Sequence, residues 1–307
     1  MSVLASAPLD VLDAYRTCEF ATLGKDGTPA AWPTAVKRRP DGTLLLTTSL
    51  AFAQKAFNIR RDGRVALLFS DPTGSGLDPA PQIAVSGRAA CPDEIMTGPQ
   101  GAEDYWSMLF VRQPHSRGYV RAPMRPLMDW YYLRLLITVE PERVDVRLPL
   151  AELAVPTAQA SAAAAALPGA AQLGSFPTAV LAARDAAGAP VLARTRTVAG
   201  PAGYRIVIPS HCAVVPGPAS LLVHRHDALL NRMYNALVRG ELRRMAGEFV
   251  LVPSQVVEPM GSGSARDAVT VLRRARRSTD RYLERRALPR PKVRWDLFGD
   301  LARPHRG

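Results

Sequence analysis

The sequence predicts a mainly β chain of two tandem antiparallel barrels, the second degenerate, with a helix at the C-terminal end. Three observations carry this. Short apolar runs are cut repeatedly by Gly, Pro and Asp turns. A faint internal repeat recurs at roughly 155 residues, which is domain size rather than solenoid size. The last stretch changes to arginine-rich sequence with helical spacing. A length of 307 residues suits two domains, and an apolar fraction of 47% supports a sizeable core. The expected division is a first barrel over 1–150, an Ala-rich linker over 151–173, a second barrel over 174–263 and a basic helical segment over 264–307.

Residues 19–24 read as a strand, closed by the turn Gly24-Lys25-Asp26-Gly27. Residues 29–37 are a second strand and 43–49 a third. Between them lies the turn Arg39-Pro40-Asp41-Gly42, where Pro presets φ and Gly accepts φ > 0. Ser49 is a candidate cap for a helix reaching Asp62, with Phe52, Ala56, Phe57 and Ile59 on its apolar side. Residues 64–71 and 82–91 are strands, and Gly87 marks a bulge or close approach. Residues 93–110 read as helix, and 130–147 as one or two strands. Residues 157–167 are expected to form a short helix or a loose connector. In the tail, Ser264 caps a helix to about Ala287, stopped by Pro289 and Pro291.

The repeat rests on three ordered pairs. Residues 180–190 echo 21–29, each a strand, an Asp-bearing turn and a Pro. Ser220-Leu221-Leu222-Val223 echoes Ala66-Leu67-Leu68-Phe69, and Val238-Arg239-Gly240-Glu241 echoes Val85-Ser86-Gly87-Arg88.

The net charge of +12 suggests nucleic acid until it is located. Residues 264–307 hold 13 Lys/Arg against 5 Asp/Glu, while the other 263 residues hold 26 against 22. Aromatic residues in the tail are sparse (Tyr282, Trp295, Phe298), so nucleic acid is not an expected partner. The start of the chain lacks a basic, then apolar, leader, and no window approaches the ~18 apolar residues of a spanning helix. Cys18, Cys91 and Cys212 are scattered, which argues against a disulfide framework or cysteine zinc site. A cytoplasmic protein with no membrane partner and no metal site is expected.

Chemistry concentrates in residues 46–69. Thr47, Thr48 and Ser49 stand where a strand gives way to a helix, and free amides there favour an anion. Lys55 adds a mobile positive charge. Hydroxyls, amides and one cation suit a phosphate monoester. On the residues alone, an ordinary N-cap and a solvated lysine are the favoured account.

The ordered set Ala21-Thr22-Leu23, Asp26-Gly27-Thr28-Pro29, Pro33-Thr34-Ala35-Val36-Lys37, Thr47-Thr48-Ser49, Lys55, Asn58, Arg61-Asp62 and Arg64-Val65-Ala66-Leu67-Leu68-Phe69 resembles the pyridoxamine 5′-phosphate oxidase family and the wider FMN-binding split barrels. The resemblance covers about residues 10–145. It implies split barrels, FMN as cofactor, and a site between two subunits, supplied by a homodimer or by an intrachain pseudo-dimer. It assigns Thr48, Ser49 and Lys55 to the phosphate with Thr47 beside them, and Pro33, Thr34 and Val36 to the strand along the ring. Gln54 and Trp32 stand where the oxidase has phosphate-binding arginines, which implies weaker hold on FMN or a different flavin. Trp32 either stacks on a ring or is an ordinary core or surface tryptophan. Arg112-Gln113-Pro114-His115-Ser116 is similar to a substrate-phosphate contact of the oxidase. The oxidase's terminal Arg-x-His is missing, so vitamin B6 oxidation is not expected.

The second repeat has no helix and no Lys before Ser220, so it is expected to be a degenerate barrel forming the other wall of a cleft. His224, Arg225 and His226 are candidates to face it, although taken singly each is better read as part of a polar strand end. The leading function is an FMN-dependent oxidoreductase acting on a small-molecule substrate; no catalytic side chain is named, because the ring itself accepts the hydride. One alternative is a deazaflavin-dependent reductase, its polyglutamyl tail held by Lys37, Arg38, Arg39, Arg60 and Arg61. Another is a non-enzymatic flavin or haem-binding protein.

Overall fold

The computed structural model describes residues 3–149, 162–257 and 265–303. Two curled antiparallel sheets dominate it. The first holds β1 (Cys18–Leu23), β2 (Pro29–Thr34), β3 (Lys37–Arg38), β4 (Leu44–Ser49), β5 (Arg64–Phe69), β6 (Gln82–Ala90) and β8 (Arg134–Arg147), with the short β7 (Ile95–Met96) added onto β8. The second holds β9 (Ala179–Arg184), β10 (Pro190–Thr195), β11 (Thr197–Gly200), β12 (Gly203–Ile206), β13 (Val215–Arg225), β14 (Tyr234–Met245) and β15 (Glu248–Val257). The spatial orders are β2-β1-β5-β6-β8-β4-β3 and β10-β9-β13-β14-β15-β12-β11. Strand for strand these are the same path, so the chain is a tandem of two half-barrels. No helix among the described residues is long and apolar enough to cross a membrane.

The repeat extends to local devices. Gly27 and Gly188 take φ of +75 and +76 at equivalent hairpin turns, the conformation glycine tolerates. The turn aspartates differ in place. Asp26 Oδ1 accepts from Thr28 N–H, whereas Asp185 stands at the position of Gly24 and accepts from Ala189 N–H. The β6–β8 register slips between Ser86 and Gly87, and the β14–β15 register between Arg239 and Gly240. A Cβ on Gly87 would lie 2.2 Å from the Glu140 carbonyl oxygen, and one on Gly240 2.2 Å from that of Val252. Only glycine lets the backbones approach so closely at the two bulges.

The helices are α1 (Leu9–Ala14), α2 (Gln54–Arg61), α3 (Glu103–Arg112), α4 (Arg125–Tyr132), α5 (Ala162–Ala165), α6 (Ala170–Gly174), α7 (Ala265–Glu284) and α8 (Trp295–Ala302). Several sequence expectations change here. Residues 93–110 are not one helix, because β7 pairs with β8 before α3 begins. Trp130 belongs to α4, and a single long strand starts at Arg134. Ser49 caps a 3₁₀ turn over Leu50–Phe52, and α2 begins only at Gln54 with no side-chain cap. The expected helix within 157–167 is described only from Ala162, and Ser264 lies outside the described residues.

Three cores follow from strand alternation. β1 is buried along its whole length. Its Cys18 and Phe20 enter the first barrel's core, while Ala21 faces the second barrel. The second core gathers Leu181, Tyr204, Leu221, Val238 and Leu251. Between the barrels, Ala21, Ala31, Ala66, Leu68 and Ala84 meet Val180, Ala182, Leu192, Leu222 and Leu237. Alanines on one side let the two sheets pack face to face. The C-terminal segment is no free appendage: Tyr282, Leu283, Val293 and Phe298 join the first core. Phe298 sits 4.8 Å from the Trp106 ring and 4.7 Å from that of Tyr132. Its arginines pair with the barrel, Arg290 to Asp129 at 2.6 Å and Arg286 to Asp93.

Candidate functional site

A cavity of about 860 Å³ opens where β2, the β4–α2 junction, the β13–β14 connection and α7 meet. Each wall has a local cause. At the end of β4, Ser49 Oγ accepts from Ala51 N–H at 3.2 Å and donates to the Trp130 carbonyl at 2.5 Å. Thr48 donates to the Phe52 carbonyl at 2.9 Å. These bonds bend the chain off the sheet so that α2 starts beside the cavity. Lys55 lines it while remaining only 9% exposed, with its ammonium 5.2 Å from the centroid of the Trp32 ring. Across from it, Arg134 donates to Thr47 Oγ1 at 2.8 Å and to the Tyr131 carbonyl at 2.7 Å. Its guanidinium stacks on the Tyr131 and Trp106 rings, 4.4 and 4.9 Å from their centroids.

The charge of this cavity is one-sided. Lys55, Arg134, Arg225, Arg232, Arg281 and Arg285 line it, and among the described residues no Asp or Glu does. Among the described residues none of the six makes an ion pair with a carboxylate, although arginines elsewhere do so repeatedly. Lys55 has no hydrogen-bond partner among them either. Burial, aided by the nearby Arg134 charge, pushes its ammonium down to about 8. A buried, unneutralised ammonium is costly. An anion in the cavity would relieve that cost.

Of the residues singled out in the sequence, Trp32, Pro33, Thr34, Thr47, Thr48, Ser49, Gln54 and Lys55 all line this one cavity. Val36 does not. β2 ends at Thr34, and Val36 turns into the first core at 4% exposure. Thr48 and Ser49 commit their hydroxyl protons to backbone carbonyls. Thr47 accepts from Arg134 and keeps its own O–H to give. Gln54 Nε2 donates to Asn58. The arginines expected to form a basic groove are used elsewhere: Arg38 pairs with Asp13, Arg39 with Asp104, and Arg60 with Asp93. Arg61 donates to the Leu23 carbonyl. Neither these nor Lys37 line the cavity. Arg112 is structural, donating to the carbonyls of Asp13, Arg16 and Val36.

Sequence reasoning missed Arg134, Trp130 and the pair Arg281 and Arg285. The only signal for that pair was its i, i+4 spacing on a basic helix. Of the candidates on the second barrel, Arg225 and His226 reach the cavity. His224 instead enters a buried network between the barrels. Glu19 accepts from Arg194 at 2.7 Å and from Ser70 at 2.9 Å, and its Oε1 lies 2.8 Å from His224 Nε2. Burial pushes the Glu19 carboxyl up, but Arg194 and His224 more than reverse this and hold it below the usual carboxylate range. Asp71 lies 3.6 Å from both His224 and His226, and His226 contacts Thr17 at 3.1 Å beside the cavity. Among the described residues no cluster of three or more His, Cys, Asp or Glu is arranged to hold a metal ion.

No protein-family model matches this chain, and no curated protein does. Among solved structures, a conserved hypothetical protein from Mycobacterium tuberculosis aligns at 24% identity over 52% of this chain and 95% of its own, with a TM-score of 0.35. An F420 reductase aligns at 24% identity over 44% of this chain and 93% of its own, with a TM-score of 0.31. A putative pyridoxamine 5′-phosphate oxidase from Listeria innocua aligns at 14% identity over 45% and 93%, with a TM-score of 0.31.

Proposed function

We propose that this chain is a flavin-dependent oxidoreductase whose cavity binds FMN or a related flavin and admits a small-molecule substrate. The observation that carries the reading is the set of six cations, without carboxylate partners among the described residues, around a cavity of about 860 Å³ with aromatic walls. That volume suits a ligand of cofactor size, and so strong a charge excess calls for an anion. The chain's residues divide the work. Lys55, Arg134 and the free Thr47 hydroxyl hold the ester anion. Trp32 and Trp130 flank a planar ring, and Pro33 and Thr34 of β2 run along its edge. Thr48 and Ser49 act one step back, fixing the turn that carries Lys55. When bound, the ring supplies the hydride chemistry, while the protein orients it and excludes water.

The docked barrels take the place of a dimer, with the second supplying the far wall through Arg225 and His226. Three unpaired, buried cysteines suit a reducing cytoplasm. The test is a flavin titration. FMN is expected to bind, riboflavin to bind at least 10-fold more weakly for want of the phosphate, and Lys55→Met to remove most of that preference. If FMN, FAD and a deazaflavin all fail to bind, the reading is wrong.

A second reading, a deazaflavin-dependent reductase, is favoured by one observation. Arg225, Arg232, Arg281 and Arg285 are more positive charge than one phosphate monoester needs. Turnover with a reduced deazaflavin, and none with reduced FMN, would select it.

A further inference from the structure

The six cations lie at two depths. Lys55 and Arg134 are each 9% exposed, and Arg134 is close enough to depress the Lys55 ammonium. They form an inner pair on the first barrel. Arg225, Arg232, Arg281 and Arg285 are exposed and come from elsewhere, two from the second barrel, one from α7 and one from the turn that ends it. Along α7, Val271, Ser278, Arg281 and Tyr282 line the cavity, and so does Arg285, whose amide bonds back to the Arg281 carbonyl just past the helix end. Their spacing of 7, 3, 1 and 3 is one helical face. That face is fixed in place. Tyr282 stacks on Phe57 of α2 with centroids 5.8 Å apart, and Ala275, Thr279 and Leu283 are buried beside it.

The opposite part of the rim is shaped with equal care. Leu230 and Arg232 hold φ of +53 and +47, unusual for residues with a side chain. Asp227 Oδ1 accepts from the amides of Leu229 and Asn231 and pins that loop. Leu230 is thereby buried at 3% exposure against the cavity, with Arg232 two residues on. Backbone held in a sparsely populated region points to a positioned function.

We propose that α7 and the loop between β13 and β14 form an outer anion subsite, and that the ligand of this site carries negative charge beyond the group held by Lys55 and Arg134. This rests on the flavin reading above and sharpens it, because FMN with its single phosphate leaves the outer subsite empty. The shared chemistry is an anionic extension of the cofactor. Its two sources are the second phosphate of a dinucleotide and the carboxylates of an oligoglutamyl tail. The C-terminal helix is then a ligand-binding element rather than a generic basic tail.

The test compares the full chain with Arg281→Gln/Arg285→Gln. Arg273→Gln/Arg274→Gln is the control, since it removes two exposed charges of the same helix that do not line the cavity. The probes are FMN, FAD and a deazaflavin with and without its oligoglutamyl tail, titrated at two salt concentrations. The outer double variant is expected to weaken FAD or the tailed deazaflavin at least 10-fold and to reduce the salt dependence of its binding. FMN and the tail-less deazaflavin should shift less than threefold, and the control variant should match the parent. Loss confined to FAD identifies a second phosphate, and loss confined to the tailed deazaflavin identifies carboxylates. Equal losses for FMN and the extended ligands, no loss for either, or the same loss in the control overturns the outer subsite while leaving the flavin reading intact. Failure of every probe with the parent chain overturns both.

Discussion

Replacing Lys55 by Met is expected to stabilise the ligand-free protein while removing its affinity for anions. The ammonium is buried and stands near Arg134, with no carboxylate partner among the described residues, and burial and that charge lower it from 10.5 to about 8. That shift corresponds to about 3 kcal/mol. The sign follows from proton binding. Between pH 8 and 10.5 the unfolded chain holds this proton and the folded chain has released it, so stability rises with pH across the window. Below pH 8 the folded protein carries the full cost of the charged amine; above pH 10.5 it carries none. Methionine keeps most of the apolar stem and has no charge to bury. Urea unfolding should therefore show the variant's lead over the parent shrink by about 2 kcal/mol between pH 7 and pH 9.5. Any change in packing is independent of pH and drops out of that difference. FMN at 100 times its dissociation constant should add about 2.7 kcal/mol to the parent and far less to the variant. A difference between variant and parent that stays constant from pH 7 to pH 9.5 would refute the argument.

Arg194→Met leaves Glu19 buried without its guanidinium and is expected to cost about 3–5 kcal/mol in urea unfolding. Pairing it with Glu19→Gln should recover most of that loss, because the orphaned charge is gone. The Glu19 carboxyl is held below its ordinary 4.5, so its contribution is present above pH 4.5 and fades as acid takes the folded protein through its lowered value; the acid limb of a stability–pH curve should flatten in the double variant. Phe298→Ala is expected to cost about 3–5 kcal/mol, since its buried ring packs against the edge of the stacked Trp106 and Tyr132 pair. If it unfolds like the parent, the C-terminal segment is not part of the first core. Isothermal titration should give one ligand per chain, and two would contradict the degeneracy of the second barrel.

What the sequence disclosed was local. Turn glycines, strand alternation, the Gly87 bulge and its sequence echo around Gly240 depend on a few adjacent residues, and they placed the tandem sheets correctly. The β4–α2 junction with Lys55 was legible for the same reason. Convergence was not. Arg134, Arg225 and Arg281 are separated by about 90 and 56 positions along the chain, and nothing nearby in sequence shows that they share a cavity. The same limit misdirected the basic-groove expectation. Arg38, Arg39 and Arg60 look free in sequence, yet Asp13, Asp104 and Asp93 neutralise them across the fold. Val36 was misplaced by a smaller effect, the end of β2 at Thr34, which turns the following residues inward.

The two barrels share a path but not a task, and the packing between them accounts for the asymmetry. Where the first barrel inserts α2 between its fourth and fifth strands, the second runs 207–214 without a helix between β12 and β13. It therefore has no counterpart of Lys55 or of the turn that carries it. At the shared interface Glu19 faces outward from β1, while the β9 position with the same register is Val180. One carboxylate thus draws Arg194 and His224 from the second barrel toward the first, and that places the end of β13 at the cavity. A symmetric pair would bury two such carboxylates and build two equivalent pockets. With one, β13 is fixed in a single orientation, and its Arg225 and His226 are left to complete the only α2-bearing site among the described residues.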